Sequence, residues 1–336
     1  MAEHNPTIVF TQPGRVVIEQ KSVPEPAKGQ ALIKTRRTLI STGTELTILS
    51  GNFPKNSAWS EYGKFPFTPG YDNVGEVIAV GGGVEDKWIG KRVASYGQHA
   101  RYVTASPESL RSIEEKIPDE HAVFSTMAEI TLNGVRRGGV RLGDAVVVYG
   151  AGLVGQLAAR FCFLCGARPV IVVDLADQRL AKVPSNSSFV ALNPKTSDII
   201  AGVKEMTAGR MADIVIEATG DQDSIPAEFG CLKEQGRFVV LSSPRGKTAF
   251  DFHDLCNSPS YTIIGTHNRS HPRYSTPDNP WTDKRDAEFF FDLVKRGELD
   301  VGGLVSHRVP YSEAPEIYRQ LLKDRSGFMG VILIWD

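Results

Sequence analysis

Asp144-Ala-Val-Val-Val-Tyr149 runs directly into Gly150-Ala-Gly152-Leu153-Val154-Gly155, and an apolar stretch continues to Leu164. A short β-branched run closed by glycine reads as a buried strand, and the apolar stretch behind it is long enough for a helix. A second such run, Pro169–Val173, ends at Asp174, and further ones follow at Asp213–Ala218, Arg237–Leu241 and Tyr261–Gly265. Strands that alternate with helices require crossover connections, which bury a parallel sheet between helical layers. The fold class predicted is α/β, with a doubly wound parallel sheet in the middle of the chain.

The same glycines point to a ligand. Gly150 permits the tight turn, Gly152 lets backbone N–H groups approach a pyrophosphate, and Gly155 lets helix and sheet pack closely. The helix N-terminus, opening at Leu153 and Val154, adds partial positive charge. Asp174 lies 24 residues after Gly150, at the end of the next strand. A carboxylate there accepts both ribose hydroxyls and repels a 2′-phosphate, so the expected cofactor is NAD rather than NADP. Arg179 either braces the ribose or stands as a solvated charge on a helix face.

Before this sheet the chain has a different character. Thr7–Phe10, Arg15–Glu19, Ala31–Thr38, Asn73–Val80, Lys91–Ser95 and Arg101–Thr104 are short β-rich runs separated by turns, with no competing helical period. They predict an antiparallel β domain. Asp119–Gly138 carries apolar residues at helical intervals and reads as one or two helices. After Thr266 come a polar, Pro-rich segment, an amphipathic helix at Lys284–Lys295, and strand-like runs at Val305–Val309 and Met329–Trp335. The tail is expected to return to the β domain.

Composition excludes other classes. The 336 residues suit about two domains. The 38 basic and 39 acidic residues give a net charge of −1, which leaves no electrostatic footprint for nucleic acid or an anionic membrane. The N-terminus lacks the basic and apolar regions of a signal peptide, and no apolar run approaches the length of a membrane span. A cytoplasmic location is expected. Four cysteines are too few for a disulfide scaffold. Cys162 and Cys165 have metal-like spacing but lie on the apolar helix, where buried core thiols are the expectation.

Several segments in order carry a family resemblance. They are Ile40-Ser-Thr-Gly-Thr-Glu45, Pro69-Gly-Tyr-Asp-Asn-Val-Gly-Glu76, Gly90-Lys-Arg-Val93, Arg141-Leu-Gly-Asp144, Glu217-Ala-Thr-Gly220 and Ser306-His-Arg-Val309. Over essentially its whole length the chain resembles the medium-chain dehydrogenase/reductase superfamily. The resemblance implies a GroES-like β domain over residues 1–127, completed by 268–336, with a Rossmann NAD-binding domain over 128–267. It also implies a small-molecule substrate and a homodimer, joined through the edge strand Tyr261–Gly265. Thr219, Ser242 and Thr266, at successive strand ends, would run beside the ribose and nicotinamide.

The departures concern zinc. Zinc-dependent members carry Ile-Cys-Gly-Thr-Asp and Gly-His-Glu, whereas this chain has Ser41 and Thr42 in the first motif and Gly70-Tyr71-Asp72 as the second. The third ligand position falls near Ser125 or Thr126, and the four-cysteine structural lobe is missing, Ala94–Ala100 making a direct connection. Zinc takes thiolate, imidazole or carboxylate donors, and only Asp72 and Glu45 remain. The expectation is no catalytic metal. A side chain must then move the proton that accompanies the hydride.

The resemblance places four residues in the active cleft. Tyr71 takes the place of the histidine ligand and offers a phenolic acid. Asp72 is adjacent, Glu129 is near the nicotinamide, and Thr44 corresponds to a proton-relay hydroxyl. Each also has a structural alternative: a cap for Thr44, a packed aromatic for Tyr71, and hydrogen-bond acceptors for Asp72, Glu129 and Glu45. Asn133, His267, Asn268 and His271 are candidate substrate contacts. The combination predicts a zinc-independent, NAD(H)-linked oxidoreductase acting on a secondary alcohol or ketone, on a sugar, a cyclitol or a similar polyhydroxylated molecule. The alternatives are a reductase of a conjugated carbonyl, quinone or large-ring substrate, and a nucleotide-binding module without catalysis.

Overall fold

The computed structural model describes residues 4–336, which form two compact units. One ends at Met127 and resumes at Lys284; the other runs from Ala128 to Asp283. The sequence reading assigned 268–283 to the first unit, and compactness assigns it to the second. The reason lies in side chains of helix Ser125–Gly138. Asn133 Nδ2 donates to Ser270 Oγ at 2.8 Å, and the Arg136 guanidinium sits 3.3 Å from the Trp281 ring centroid. This holds the polar segment against the parallel-sheet unit.

In the first unit β1 (His4–Gln12) and β2 (Arg15–Ser22) pair antiparallel as a sheet of two. A larger sheet contains β3 (Ala31–Leu39), β4 (Asn73–Val80), β5 (Arg92–Ser95), β6 (Tyr102–Ala105) and β7 (Arg111–Ser112). Two short helices, Thr44–Ser50 and Ala58–Tyr62, interrupt what the sequence presented as strands and turns only. Thr44–Ser50 is β-branched and nearly all buried, so it shows no helical alternation of polar and apolar faces.

The second unit is a six-stranded parallel sheet. Its strands are β8 (Val146–Tyr149), β9 (Val170–Val173), β10 (Phe189–Leu192), β11 (Ala212–Glu217), β12 (Leu232–Val240) and β13 (Thr262–Gly265). The order is β10-β9-β8-β11-β12-β13, the doubly wound arrangement, with its switch point between β8 and β11. The central strands read as unbroken apolar runs because both faces are covered: Val146, Val147, Val148, Val170, Ile171 and Val172 are fully buried. β10 escaped the sequence reading because it is a short, half-exposed edge strand with no buried run. The helix Leu153–Leu164 follows β8, burying Cys162 but leaving Cys165 exposed at its end, so one of the two thiols is not a core residue.

The chain then completes the first unit with helix Asp283–Lys295, β14 (Val305–Pro310), helix Ala314–Lys323 and β15 (Gly330–Ile334). β15 pairs antiparallel with β3, but β14 pairs parallel with β15, so the β domain is mixed rather than purely antiparallel. Ala314, Ile317, Tyr318 and Leu321 form the buried stripe of their helix at helical spacing. They pack on Ile8, Phe10, Ile40, Ile48 and Leu333. Among the described residues no helix is long and apolar enough to cross a membrane.

Candidate active and cofactor sites

The turn after β8 is built for close backbone approach. Gly150 has φ +96°, and a Cβ there would lie 2.9 Å from the Ala218 carbonyl. A Cβ on Gly155 would lie 1.7 Å from Gly150 O, so only glycine lets the helix sit this near the turn. Gly152 is the N-cap of helix Leu153–Leu164 with no side-chain cap, and a Cβ on it would meet nothing within 4 Å. The helix thus opens at Leu153 and Val154 with no side chain capping it, and a helix N-terminus of this kind can receive a pyrophosphate.

Asp174 stands at the end of β9. Its Oδ2 accepts from Ala151 N at 2.7 Å and its Oδ1 from Ala176 N at 2.8 Å, while Arg179 Nη1 lies 3.8 Å from Oδ2. Each carboxylate oxygen keeps a further lone pair for a ribose hydroxyl. Gln156, fully buried, donates from Nε2 to Arg179 O at 2.9 Å, tying the segment after β9 to the glycine helix.

The three strand-end hydroxyls each have a partner within the protein. Thr219 Oγ1 donates to Glu217 Oε1 at 2.7 Å, Ser242 Oγ donates to Glu217 Oε2, and Thr266 Oγ1 donates to Val240 O at 2.9 Å. Glu217 Oε1 also accepts from Thr219 N at 2.6 Å and Gly220 N at 2.8 Å. The fully buried Glu217 thus gathers the ends of β11 and β12. Its only trace in the sequence is the Glu-Ala-Thr-Gly landmark.

Glu129 and Asn133 lie one turn apart on helix Ser125–Gly138. Glu129, 1 % exposed, accepts from Asn268 Nδ2 at 3.3 Å. Asn133 also donates to His267 O at 3.3 Å, and the exposed His267 ring accepts Arg269 N at Nδ1. Asn133 and His267 therefore shape their loop. His271 Nδ1 lies 2.8 Å from Asn268 O.

In the other unit Tyr71 meets Thr44. The Tyr71 hydroxyl donates to Thr44 Oγ1 at 3.3 Å and hydrogen-bonds Ser41 Oγ. Burial pushes the phenol well above its ordinary value, the charge of Asp72 adds to this, and the Ser41 and Thr44 hydroxyls oppose it. Thr44 does not cap its helix; Gly43 is the N-cap, and the Thr44 hydroxyl serves Tyr71. Thr126 Oγ1 fixes the backbone by donating to Tyr71 O at 3.0 Å. Asp72 is 1 % exposed and its carbonyl accepts Leu39 N at 3.1 Å. Gly70, at φ +103°, brings the turn against His99, whose N a Cβ would approach to 2.6 Å.

Two family models match the chain: the alcohol dehydrogenase GroES-like domain over residues 27–117 and zinc-binding dehydrogenase over 154–281. The D-guloside 3-dehydrogenase of Shigella flexneri is 30% identical over 280 residues, covering 81% of this chain and 78% of that protein. The chain belongs to the medium-chain dehydrogenase/reductase superfamily. The superfamily member L-galactonate-5-dehydrogenase of Escherichia coli K12 is 24% identical over 97% of this chain and 98% of that one. The crystal structure of an alcohol dehydrogenase from E. coli CFT073, complexed with NADH, superimposes with a TM-score of 0.81 at 19% identity, over 98% of this chain and 99% of that chain. That last likeness concerns the fold.

Around the superfamily landmark Ile40–Glu45, sequence reasoning passed over Ser41, His99 and Tyr318. Glu45, taken there as a structural acceptor, is 1 % exposed and accepts from Ser41 N at 3.0 Å, from His99 Nε2 at 3.2 Å and from the Tyr318 hydroxyl. The four-residue spacing of Ser41 and Glu45 was the visible signal, since a helix-start carboxylate commonly reaches back to an upstream amide. Nothing local marks His99 or Tyr318, which arrive from distant strands and helices.

Proposed function

We propose that the chain is an NAD(H)-linked oxidoreductase that interconverts a secondary alcohol and a ketone on a polyhydroxylated substrate, without a catalytic zinc. A bound nicotinamide ring supplies the acceptor or donor of the hydride. The chain must then handle one proton at the substrate oxygen. The observation that carries this reading is the Tyr71 hydroxyl, held between Ser41 and Thr44 at the motif position where zinc members have histidine. Burial and Asp72 keep the phenol protonated, so Tyr71 carries a proton to hand to the strongly basic oxygen that forms as hydride reaches a ketone carbon. In the reverse direction the two hydroxyls stabilise the phenolate that takes the proton up.

Zinc does not fit the donors present. The partners of Tyr71 are hydroxyls, the carboxylate of Glu45 is engaged by three protein donors, and among the described residues no group of three His, Cys, Asp or Glu side chains is placed to hold a metal. The glycine turn and Asp174 favour NAD. The relatives that act on D-gulosides and L-galactonate support a polyhydroxylated substrate. Asn268 Oδ1, a buried acceptor with no hydrogen-bond partner, suits a substrate hydroxyl.

The test is turnover after chelation. Protein treated with EDTA is mixed with NAD⁺ or NADP⁺ and a D-guloside or L-galactonate, and NADH or NADPH absorbance is followed. Undiminished, NAD-preferring turnover is expected. Turnover abolished by chelation and restored by added zinc would overturn the metal-free reading.

A further inference from the structure

Ser41 has its backbone occupied on both sides by one residue. Its N–H donates to Glu45 Oε1 at 3.0 Å, and its carbonyl accepts from Glu45 N at 2.9 Å. Its side chain meets the Tyr71 hydroxyl. In the resting arrangement Tyr71 donates to Thr44, so the proton shared with Ser41 is the serine's, and Ser41 is the donor. A serine that donates to the phenol oxygen keeps that bond whether Tyr71 holds its proton or has given it up.

Glu45 is in turn fixed from behind. His99, fully buried, lies 3.2 Å from both Glu45 oxygens through Nε2, and its Nδ1 lies 2.8 Å from Thr38 Oγ1. Trp335 Nε1, a donor only, reaches the same Thr38 oxygen at 2.9 Å. The Glu45 carboxylate can only accept, so the His99 nitrogen facing it, Nε2, carries the hydrogen. Tyr318, fully buried, donates to Oε2. Glu45 therefore collects donors from two sides, from Trp335 through Thr38 and His99 on one and from the Ser41 amide on the other, and the Ser41 side chain carries the fixed geometry on to Tyr71. Gly70 belongs to this arrangement as well, because only a residue without Cβ lets the Tyr71 turn lie against the imidazole.

We propose that Ser41, locked by the buried Glu45–His99–Tyr318 cluster, is the positioning residue that orients the Tyr71 hydroxyl. The kinetic part of this rests on Tyr71 as the proton donor; the geometric part does not. Tyrosines labelled with carbon-13 at Cζ report hydrogen bonding at the phenol, and the Tyr71 signal is identified by its loss in Tyr71→Phe. Ser41→Ala is expected to move that signal, and Glu45→Gln or His99→Phe to move it too, in protein whose melting shows it folded. A Tyr71 signal unmoved by Ser41→Ala overturns the proposal.

Kinetics with a D-guloside then separates the two ideas. Ser41→Ala is expected to lower kcat about tenfold with KM and NADH binding unchanged, and to have no further effect in a Tyr71→Phe background. An equal loss in both backgrounds marks a general structural role and overturns the proposal. A wild-type rate in Tyr71→Phe, with the shifted signal in Ser41→Ala, instead refutes Tyr71 as proton donor and leaves the positioning relationship standing.

Discussion

Asp174 Oδ2 accepts the amide of Ala151 at 2.7 Å, so the carboxylate assigned to the ribose also holds the glycine turn. Replacing it has two separable consequences. Asp174→Ser combined with Leu175→Arg, at a position 58 % exposed, removes the repulsion and adds a 2′-phosphate partner. The ratio of kcat/KM for NADP⁺ over NAD⁺ is expected to rise; an unchanged ratio would refute the carboxylate's role in selection. The same variant orphans the Ala151 amide, and urea melts are expected to show a loss of about 1–3 kcal/mol.

Gly155 and Gly152 should respond oppositely to one added methyl group. At Gly155 the Cβ would lie 1.7 Å from Gly150 O, so Gly155→Ala must push helix from turn, at a cost of about 3 kcal/mol or more. At Gly152 the Cβ meets nothing, so Gly152→Ala should change stability by only about 1 kcal/mol while weakening NADH binding about tenfold or more. Thermal melting paired with NADH fluorescence titration distinguishes them. Undisturbed NADH binding in Gly152→Ala would mean that the cofactor does not approach this turn.

A third expectation concerns pH. Glu228 is fully buried, Ser224 Oγ donates to its Oε1 at 2.9 Å, and its Oε2 has no partner. Burial, reinforced by the charge of Glu217, pushes its carboxyl up from 4.5 to about 8. The folded state therefore binds a proton that the unfolded chain releases. This contribution is complete below pH 4.5, declines as pH rises between the two values, and is gone above about 8. Glu228→Gln should flatten the fall in stability over that window and stabilise the protein at its alkaline end by on the order of a few kcal/mol. Urea melts of both proteins at either end of the window measure it; parallel pH profiles would exclude Glu228 as the source.

The glycine turn and its parallel sheet were legible because their signals are local. A β-branched run, three glycines and a strand-end acid lie within one crossover, and each is dictated by backbone geometry that any ligand-binding turn of this kind must satisfy. The cluster around Tyr71 was half legible. Tyr71 and Thr44 stood out by position, but Ser41, His99 and Tyr318 are joined to them only by folding, across 58 residues from Ser41 to His99 and 277 from Ser41 to Tyr318. The partners of the Thr219, Ser242 and Thr266 hydroxyls were hidden for a related reason: a strand end fixes where a residue lies, whereas Glu217 and the Val240 carbonyl, brought there by folding, decide where the hydroxyl turns.

Tyr71→Phe removes one oxygen from a ring that otherwise keeps its packing. Ser41 and Thr44 would lose a shared partner, yet Thr44 is only half-buried and can turn to water, so folding should survive. If Tyr71 moves the proton, kcat is expected to fall by about 10²–10⁴-fold while KM and NADH binding stay near their wild-type values, since the lost interaction matters only as charge develops on the substrate oxygen. A rise in KM at unchanged kcat would make Tyr71 a substrate-binding residue instead. A wild-type rate would move the role to Asp72 or Glu129, each 1 % exposed and each removable as the corresponding amide in the same assay.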